Sequence, residues 1–266
     1  MQLNTHYNQI LSMSTFQELE GILLKIPQKS LIVTDIDNVL TVHKDKIIRP
    51  NSRSLYDILM TELKMDSHGK TQFINGTEIP FFEYLHSKLI RGIRLELLEK
   101  RNVELLKTLR EMGHSILALS QGKTGNYGEI PAMEDVRISQ LKELGLNFSE
   151  SFKDISSMTL DISCSYPYPI FKDGVILTAK ASKALSLENF LNRIQKNWET
   201  LVYIDDRQDW IEEIYNHFRP YMSVIVIWYK NQKFLRECPD STLAKKQFDF
   251  LRTKHIWLND EEAQKI

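Results

Sequence analysis

The sequence predicts an α/β protein built on an open, mostly parallel sheet with helices on both faces and a helical insertion after the first strand. Three observations carry this. Short apolar runs of the kind covered on both sides, "SLIVTD", "HSILALS", "TLVYIDD" and "MSVIVIWY", recur along the chain. Amphipathic helical stretches alternate with them, which implies parallel crossover connections. Two of the runs end in paired acids, and such sheets bind ligands beyond the carboxyl ends of their strands.

The elements follow in order. "STFQELEGILLKI" predicts a short helix in which Ser14 is the cap, Glu18 falls near the first turn, and Leu19, Ile22, Leu23 and Ile26 recur at helical spacing until Pro27 stops it. Leu31, Ile32 and Val33 then form the first strand. The stretch of about 43–102 is much longer than a usual βα connection and predicts the insertion. Its aromatics Phe81, Phe82 and Tyr84 are expected to pack the insert onto the body, with the lining of a substrate entrance as the alternative. "RLELLEKRNVELLKTLREMG" predicts one long helix with Leu97, Leu98, Leu105, Leu106, Leu109 and Met112 as its buried stripe and Gly113 as its stop. After "HSILALS" a helix is expected from about Met133 to Leu144, ending at Gly145. The segment of about 149–179, rich in Ser, Tyr and Pro, reads as loops plus a hairpin, and "KALSLENFLNRI" as a helix. The whole, 1–266, reads as a single domain. At the end, Asn259 followed by Asp260, Glu261 and Glu262 opens a helix, which suggests a native polypeptide continuing past Ile266 with a tail able to carry a membrane or localisation signal; natural fraying is the alternative.

Composition narrows the function classes. Hydrophobic residues make up 42% and charged residues 26% of the 266, which excludes disorder as the main state. A formal net charge of -1 and the lack of a basic stripe argue against a nucleic-acid partner. Cys164 and Cys238 lie far apart and without metal-type spacing, so a reducing, cytoplasmic setting fits best. No apolar run approaches the roughly 18 residues of a membrane span, and the N-terminus lacks the layout of a secretory signal.

The paired acids carry the chemistry. Asp35 and Asp37, one residue apart at a strand end, repel each other unless a cation or a proton is shared between them. A hard divalent ion such as Mg²⁺ is the simplest compensation, since it is held by a couple of carboxylates and keeps positions for water and phosphate oxygens. Asp205 and Asp206, behind another strand, are the natural remote partners, and Asp209 could support them.

The ordered set "IVTDIDNVL", "ILALSQG", the lysine in "SKALSLENFL" and "VYIDD" resembles the four motifs of the haloacid dehalogenase (HAD) superfamily of aspartate-nucleophile phosphatases, from Leu31 to about Trp228. A response-regulator receiver also joins acids to a Ser or Thr and a Lys, but its phosphoacceptor lies on a middle strand, whereas here the acids open and close the set. The resemblance implies an HAD-like Rossmannoid sheet, with Asp35 as nucleophile forming an aspartyl-phosphate. It implies Asp37 as general acid and base, with its carbonyl reaching the metal. Ser120 would donate to a phosphoryl oxygen beside the backbone N–H groups of Gln121 and Gly122, and Lys183, with Lys180 as the alternative, would neutralise charge. Mg²⁺ would be held by Asp35, Asp37, Asp205 and Asp206. Two positions depart from the pattern: Ala184 stands where relatives often have Gly, and Asn38 where Gly or Asp is more frequent.

The layout also resembles HAD-like phosphotyrosine phosphatase effectors of intracellular bacterial pathogens, which implies a phosphotyrosyl host protein as substrate and delivery without a cleaved signal peptide. Cysteine-dependent chemistry is set aside, because neither "CSYPYPIF" nor "CPDSTLAK" offers an arginine at the spacing that cradles phosphate. The alternatives are a phosphatase for small metabolites such as sugar phosphates or nucleotides, and a catalytically silent module that binds a phosphorylated partner.

Overall fold

A computed structural model describes residues 7–163, 167–231 and 239–266. Cys164 and Cys238 lie outside them. In chain order the first half holds β1 (Asn8–Met13), α1 (Phe16–Leu23), β2 (Leu31–Thr34), β3 (Thr41–His43), α2 (Arg53–Asp66), β4 (Thr71–Ile74), β5 (Thr77–Pro80), α3 (Phe81–Gly92), β6 (Leu95–Leu97), α4 (Asn102–Glu111) and β7 (Ser115–Ser120). The second half holds α5 (Met133–Glu143), β8 (Ser157–Thr159), β9 (Ile170–Lys172), β10 (Val175–Leu177), α6 (Lys183–Ile194), β11 (Thr200–Asp205), α7 (Gln208–Phe218), β12 (Ser223–Tyr229), α8 (Ser241–Lys254) and α9 (Asp260–Gln264).

The chain falls into two compact units, one of Met1–Thr41, Leu97–Thr124 and Arg137–Asn231, the other of Val42–Glu96, Gly125–Val136 and Gln232–Ile266. The first is an α/β unit around an eight-stranded sheet of order β1-β12-β11-β2-β7-β10-β9-β8. Neighbours are parallel from β1 across to β10, while β9 and β8 add antiparallel strands at one edge. After β2 the chain steps to β7 and β10 on one side, then returns to β11 and β12 on the other. Such a reversal, here beside the carboxyl end of β2, is where open α/β sheets form their ligand-binding crevice.

Both sides of the central strands are covered. Leu31, Val33, Leu201, Tyr203, Val224 and Val226 join Leu187 and Phe190 of α6 and Ile211 and Ile214 of α7 in one core. The alternate residues Ile32, Ile116 and Val202 point the other way and are fully buried too. Such continuous burial explains why these strands read as unbroken apolar runs.

Three elements differ from the sequence expectation. The cap of α1 is Thr15, whose hydroxyl accepts from Glu18 N while the Glu18 carboxylate accepts from Thr15 N; a capping box needs Glu at cap plus three, and that places Thr15, not Ser14, at the cap. The expected long helix ahead of β7 is only α4, preceded by β6. Leu95–Leu97 pair with β3, so sheet partnering overrides the helical propensity of "RLELLEK", and Met112 is exposed rather than buried. β1 had no apolar run to announce it: its residues alternate between exposed and half-buried up to the buried Met13, and the strand forms by pairing Asn8–Met13 with Val224–Tyr229. The hairpin expected within 149–179 is β9–β10, turning at Asp173 and Gly174, both at positive φ.

The second unit is mainly helical. Leu59 and Leu63 of α2, Leu85 and Leu89 of α3, Phe248 and Leu251 of α8, and Trp257 form its core. Phe81 stacks on Tyr84, and Phe82 lies against His86, so these aromatics pack inside this unit. Asp45 accepts from Trp257 Nε1 at 2.9 Å and from Asp260 N at 3.0 Å, and Asn259 caps α9 through a capping box with Glu262.

Candidate active site

β2 and β11 lie in register, Leu31 beside Leu201 and Thr34 beside Ile204, so their carboxyl ends finish level. Asp35 N donates to Ile204 O at 2.8 Å, which sets Asp35 next to Asp205 at the crevice. Both acids are buried. Lys183 enters from the first turn of α6 and is 1% exposed. Ser182 caps that helix by accepting from Leu185 N at 3.0 Å, and its own hydroxyl donates to Glu213 of α7, so two helices fix where the lysine starts.

The lysine ties the acids together. Its Nζ lies 2.7 Å from Asp205 Oδ2 and 2.9 Å from Asp35 Oδ1, beside the rings of Tyr203 and Trp210. Asp205 is held further by the Tyr203 hydroxyl, which donates to Oδ2, and by Arg207 N, which donates to Oδ1 at 2.9 Å. Asp206 Oδ2 accepts from Asn38 Nδ2 at 3.1 Å. Asn38 has φ 64, a left-handed conformation that asparagine tolerates better than most residues.

Burial dominates the electrostatics. It pushes the Asp35 carboxyl well up from its ordinary range, Lys183 works against that shift, and Asp205 and Asp37 add to it. Asp206 is raised by burial and by Asp205. Burial opposes the charge of Lys183, but Asp35 and Asp205 outweigh it and hold the ammonium above its usual value. Tyr203 is raised by burial and by the same two acids, so it stays a neutral donor.

Asp35, Asp205 and Asp206 each offer a carboxylate oxygen within 4.8 Å of the others. Asp35 Oδ1 is buried and lacks a donor in hydrogen-bond geometry, although the lysine charge is close. Three hard oxygens, one of them under-satisfied, fit a hard divalent cation such as Mg²⁺.

Residues 12–264 match the family described as "Protein of unknown function (DUF2608)". The chain belongs to this family. It is similar to an uncharacterized Rickettsia bellii protein, 23% identical over 214 residues covering 78% of this chain and 70% of the relative. An uncharacterized Rickettsia felis protein is 23% identical over 227 residues, 83% of this chain and 74% of its own length. An uncharacterized Rickettsia conorii protein is 26% identical over 178 residues, 65% of this chain, and this chain spans 57% of that relative's length. No solved structure matches the chain. The carboxylates and the lysine all fall inside the stretch matched to the family.

The site thus brings together Asp35, Asp205, Asp206 and Lys183. Lys180 is exposed, so Lys183 is the lysine that reaches the acids. Ser120 ends β7 beside β2 and is buried. Its carbonyl accepts from Gly122 N and Thr178 N, both at 3.0 Å, so the Gly122 N–H expected to face a phosphate is engaged in the turn, and Gln121 is exposed. Asp209 is exposed and paired with Arg207, outside the cluster. The Asp37 side chain is likewise not among the converging carboxylates: Arg137 of α5 grips both its oxygens, at 3.0 and 3.1 Å.

Sequence reasoning missed Arg137, Tyr203 and Trp210. Tyr203 had a signal, because a residue two before a buried strand aspartate shares its face. Arg137 had none, since its meeting with Asp37 spans 100 positions of sequence.

Proposed function

We propose that the chain is a Mg²⁺-dependent phosphomonoester hydrolase of HAD type, with a phosphotyrosyl protein as its preferred substrate. What supports the reading is the buried Lys183 ammonium between Asp35 and Asp205, with Asp206 converging on them at the crevice where strand order reverses.

In this mechanism an Asp35 oxygen attacks phosphorus, the bond from phosphorus to the alcohol oxygen breaks, and Asp37 gives that oxygen a proton. Water then attacks the aspartyl-phosphate, Asp37 takes back a proton, and inorganic phosphate leaves with Asp35 restored. Lys183 holds the orientation of Asp35 and offsets negative charge as the phosphoryl group moves. Ser120 donates its hydroxyl to a phosphoryl oxygen. Asp35, Asp205 and Asp206 would hold the cation, which when bound keeps Asp35 ionised and shares charge with the phosphoryl oxygens.

No helix among the described residues is long and apolar enough to cross a membrane. A reducing setting, in the cytoplasm or after delivery into a host cell, belongs to the same proposal.

The experiment is phosphate release from phosphotyrosyl peptides, phosphoseryl peptides and sugar phosphates, with Mg²⁺ or with a chelator. Metal-dependent release selective for phosphotyrosine is the expected outcome. Selectivity for sugar phosphates would replace the substrate, and no release from any of them would leave a phosphate-binding module.

A further inference from the structure

The grip of Arg137 on Asp37 conflicts with the work the proposed mechanism gives that acid. Nη1 lies 3.0 Å from Oδ1 and Nη2 3.1 Å from Oδ2, a two-pronged pair in which both carboxylate oxygens are engaged. An acid held this way has both oxygens committed to the guanidinium. The fork fits a phosphate as well as a carboxylate, because both present two oxygens at matching separation.

The positions agree with an exchange. Lys183 is 1% exposed and committed to two buried acids, whereas the side chains of Arg137 and Asp37 are 18% and 30% exposed and so open to solvent. Asp37 stands two residues beyond Asp35 in the same strand-end turn, with Leu40 N and Thr41 N donating to Ile36 O to hold that turn shut. A phosphomonoester brings negative charge to a place already lined by Asp35, Asp37, Asp205 and Asp206, and a fixed guanidinium offsets it with direction.

We propose that Arg137 binds two oxygens of the substrate's phosphoryl group, and that the Asp37 carboxylate occupies that fork until phosphate displaces it. Entry of substrate then does two things at once: it anchors the phosphoryl group and frees Asp37 to face the leaving oxygen. This assignment rests on the phosphatase reading for the second consequence but not for the first.

The test is the affinity of inorganic phosphate, by titration calorimetry in Mg²⁺, for the wild type and for Arg137→Gln, Arg137→Lys and Asp37→Asn, with melting curves to verify folding. Arg137→Gln is expected to weaken phosphate about tenfold or more, as loss of a charge-assisted pair does. Arg137→Lys keeps the charge without the fork and should fall between. Asp37→Asn removes the competing carboxylate and should bind phosphate as tightly as wild type or more tightly.

Wild-type affinity in Arg137→Gln would overturn the proposal, as would an equal loss in Asp37→Asn, which would make the pair a structural unit. Turnover measured alongside separates the two ideas. Turnover with phosphate binding independent of Arg137 refutes this assignment and leaves the phosphatase reading; Arg137-dependent binding without turnover does the reverse.

Discussion

Asp35 shows how one residue's environment sets its chemistry. A carboxylate buried beside two other acids holds its proton to higher pH than it does in the unfolded chain, so its ionisation lowers stability as pH rises above about 3.8. Replacing Asp35 with Asn removes that slope. The variant is expected to melt no lower than wild type at neutral pH in a chelator, while losing turnover by about a thousandfold or more, as nucleophile removal does; thermal melts and phosphate release check both. Tyr203 acts through Asp205, which its hydroxyl holds in place. Tyr203→Phe should weaken Mg²⁺ about tenfold, the size typical of lost ligand support, read as a shift in the Mg²⁺ dependence of melting. An unchanged Mg²⁺ dependence would remove Tyr203 from the site.

Turns and caps decide where the elements begin. Gly174 carries φ 77, and a Cβ there would stand 2.2 Å from Phe148 O, so Gly174→Ala strains both the turn and its neighbour. A loss of about 2 kcal/mol or more is expected in denaturant melts. Thr15→Ala removes the cap of α1 and should cost about 1 kcal/mol, whereas Ser14→Ala should be near neutral; equal losses would contradict the cap assignment. The same physics explains what the sequence could tell. β2, β7, β11 and β12 were legible because burial on both faces writes a continuous apolar run. β1 and β6 were not: β1 carries no continuous apolar run and β6 is three residues inside a stretch of helical propensity, so each owes its strand state to a partner distant in sequence. At the site, Asp35 and Asp205 were legible through their place at strand ends, and Lys183 only through the ordered set of motifs, with Lys180 left as the alternative. Arg137 was not, because an arginine on a helix reads as a solvated residue until the fold brings an acid to it.

At the scale of the whole molecule, a buried histidine outside the acid cluster ties stability to pH. His114 is buried just before β7, its Nδ1 accepts from Ser30 N at 3.3 Å, and its Nε2 has no hydrogen-bond partner among the described residues. Burial pushes its pKa below the ordinary value of 6.5. The unfolded chain therefore takes up the proton first, and the stability present above about pH 6.5 is lost as pH falls through the folded-state value. His114→Asn keeps an acceptor for Ser30 N without a titrating group, and should flatten the fall in melting temperature between neutral and mildly acid pH. An unchanged pH profile would place the acid sensitivity elsewhere.

The architecture as a whole points to a single side chain. A mostly parallel sheet whose order reverses beside β2, a helix that aims Lys183 into the crevice and a strand that ends in two acids all converge on the carboxylate of Asp35. The measurement that tests this most directly is trapping of the intermediate: substrate is turned over in Mg²⁺, the reaction is quenched in acid, and the protein is reduced with borohydride and mapped by mass spectrometry. An acyl phosphate on Asp35 is reduced to homoserine at that position, and that is the predicted result. Turnover without modification, or modification at another residue, would contradict the account.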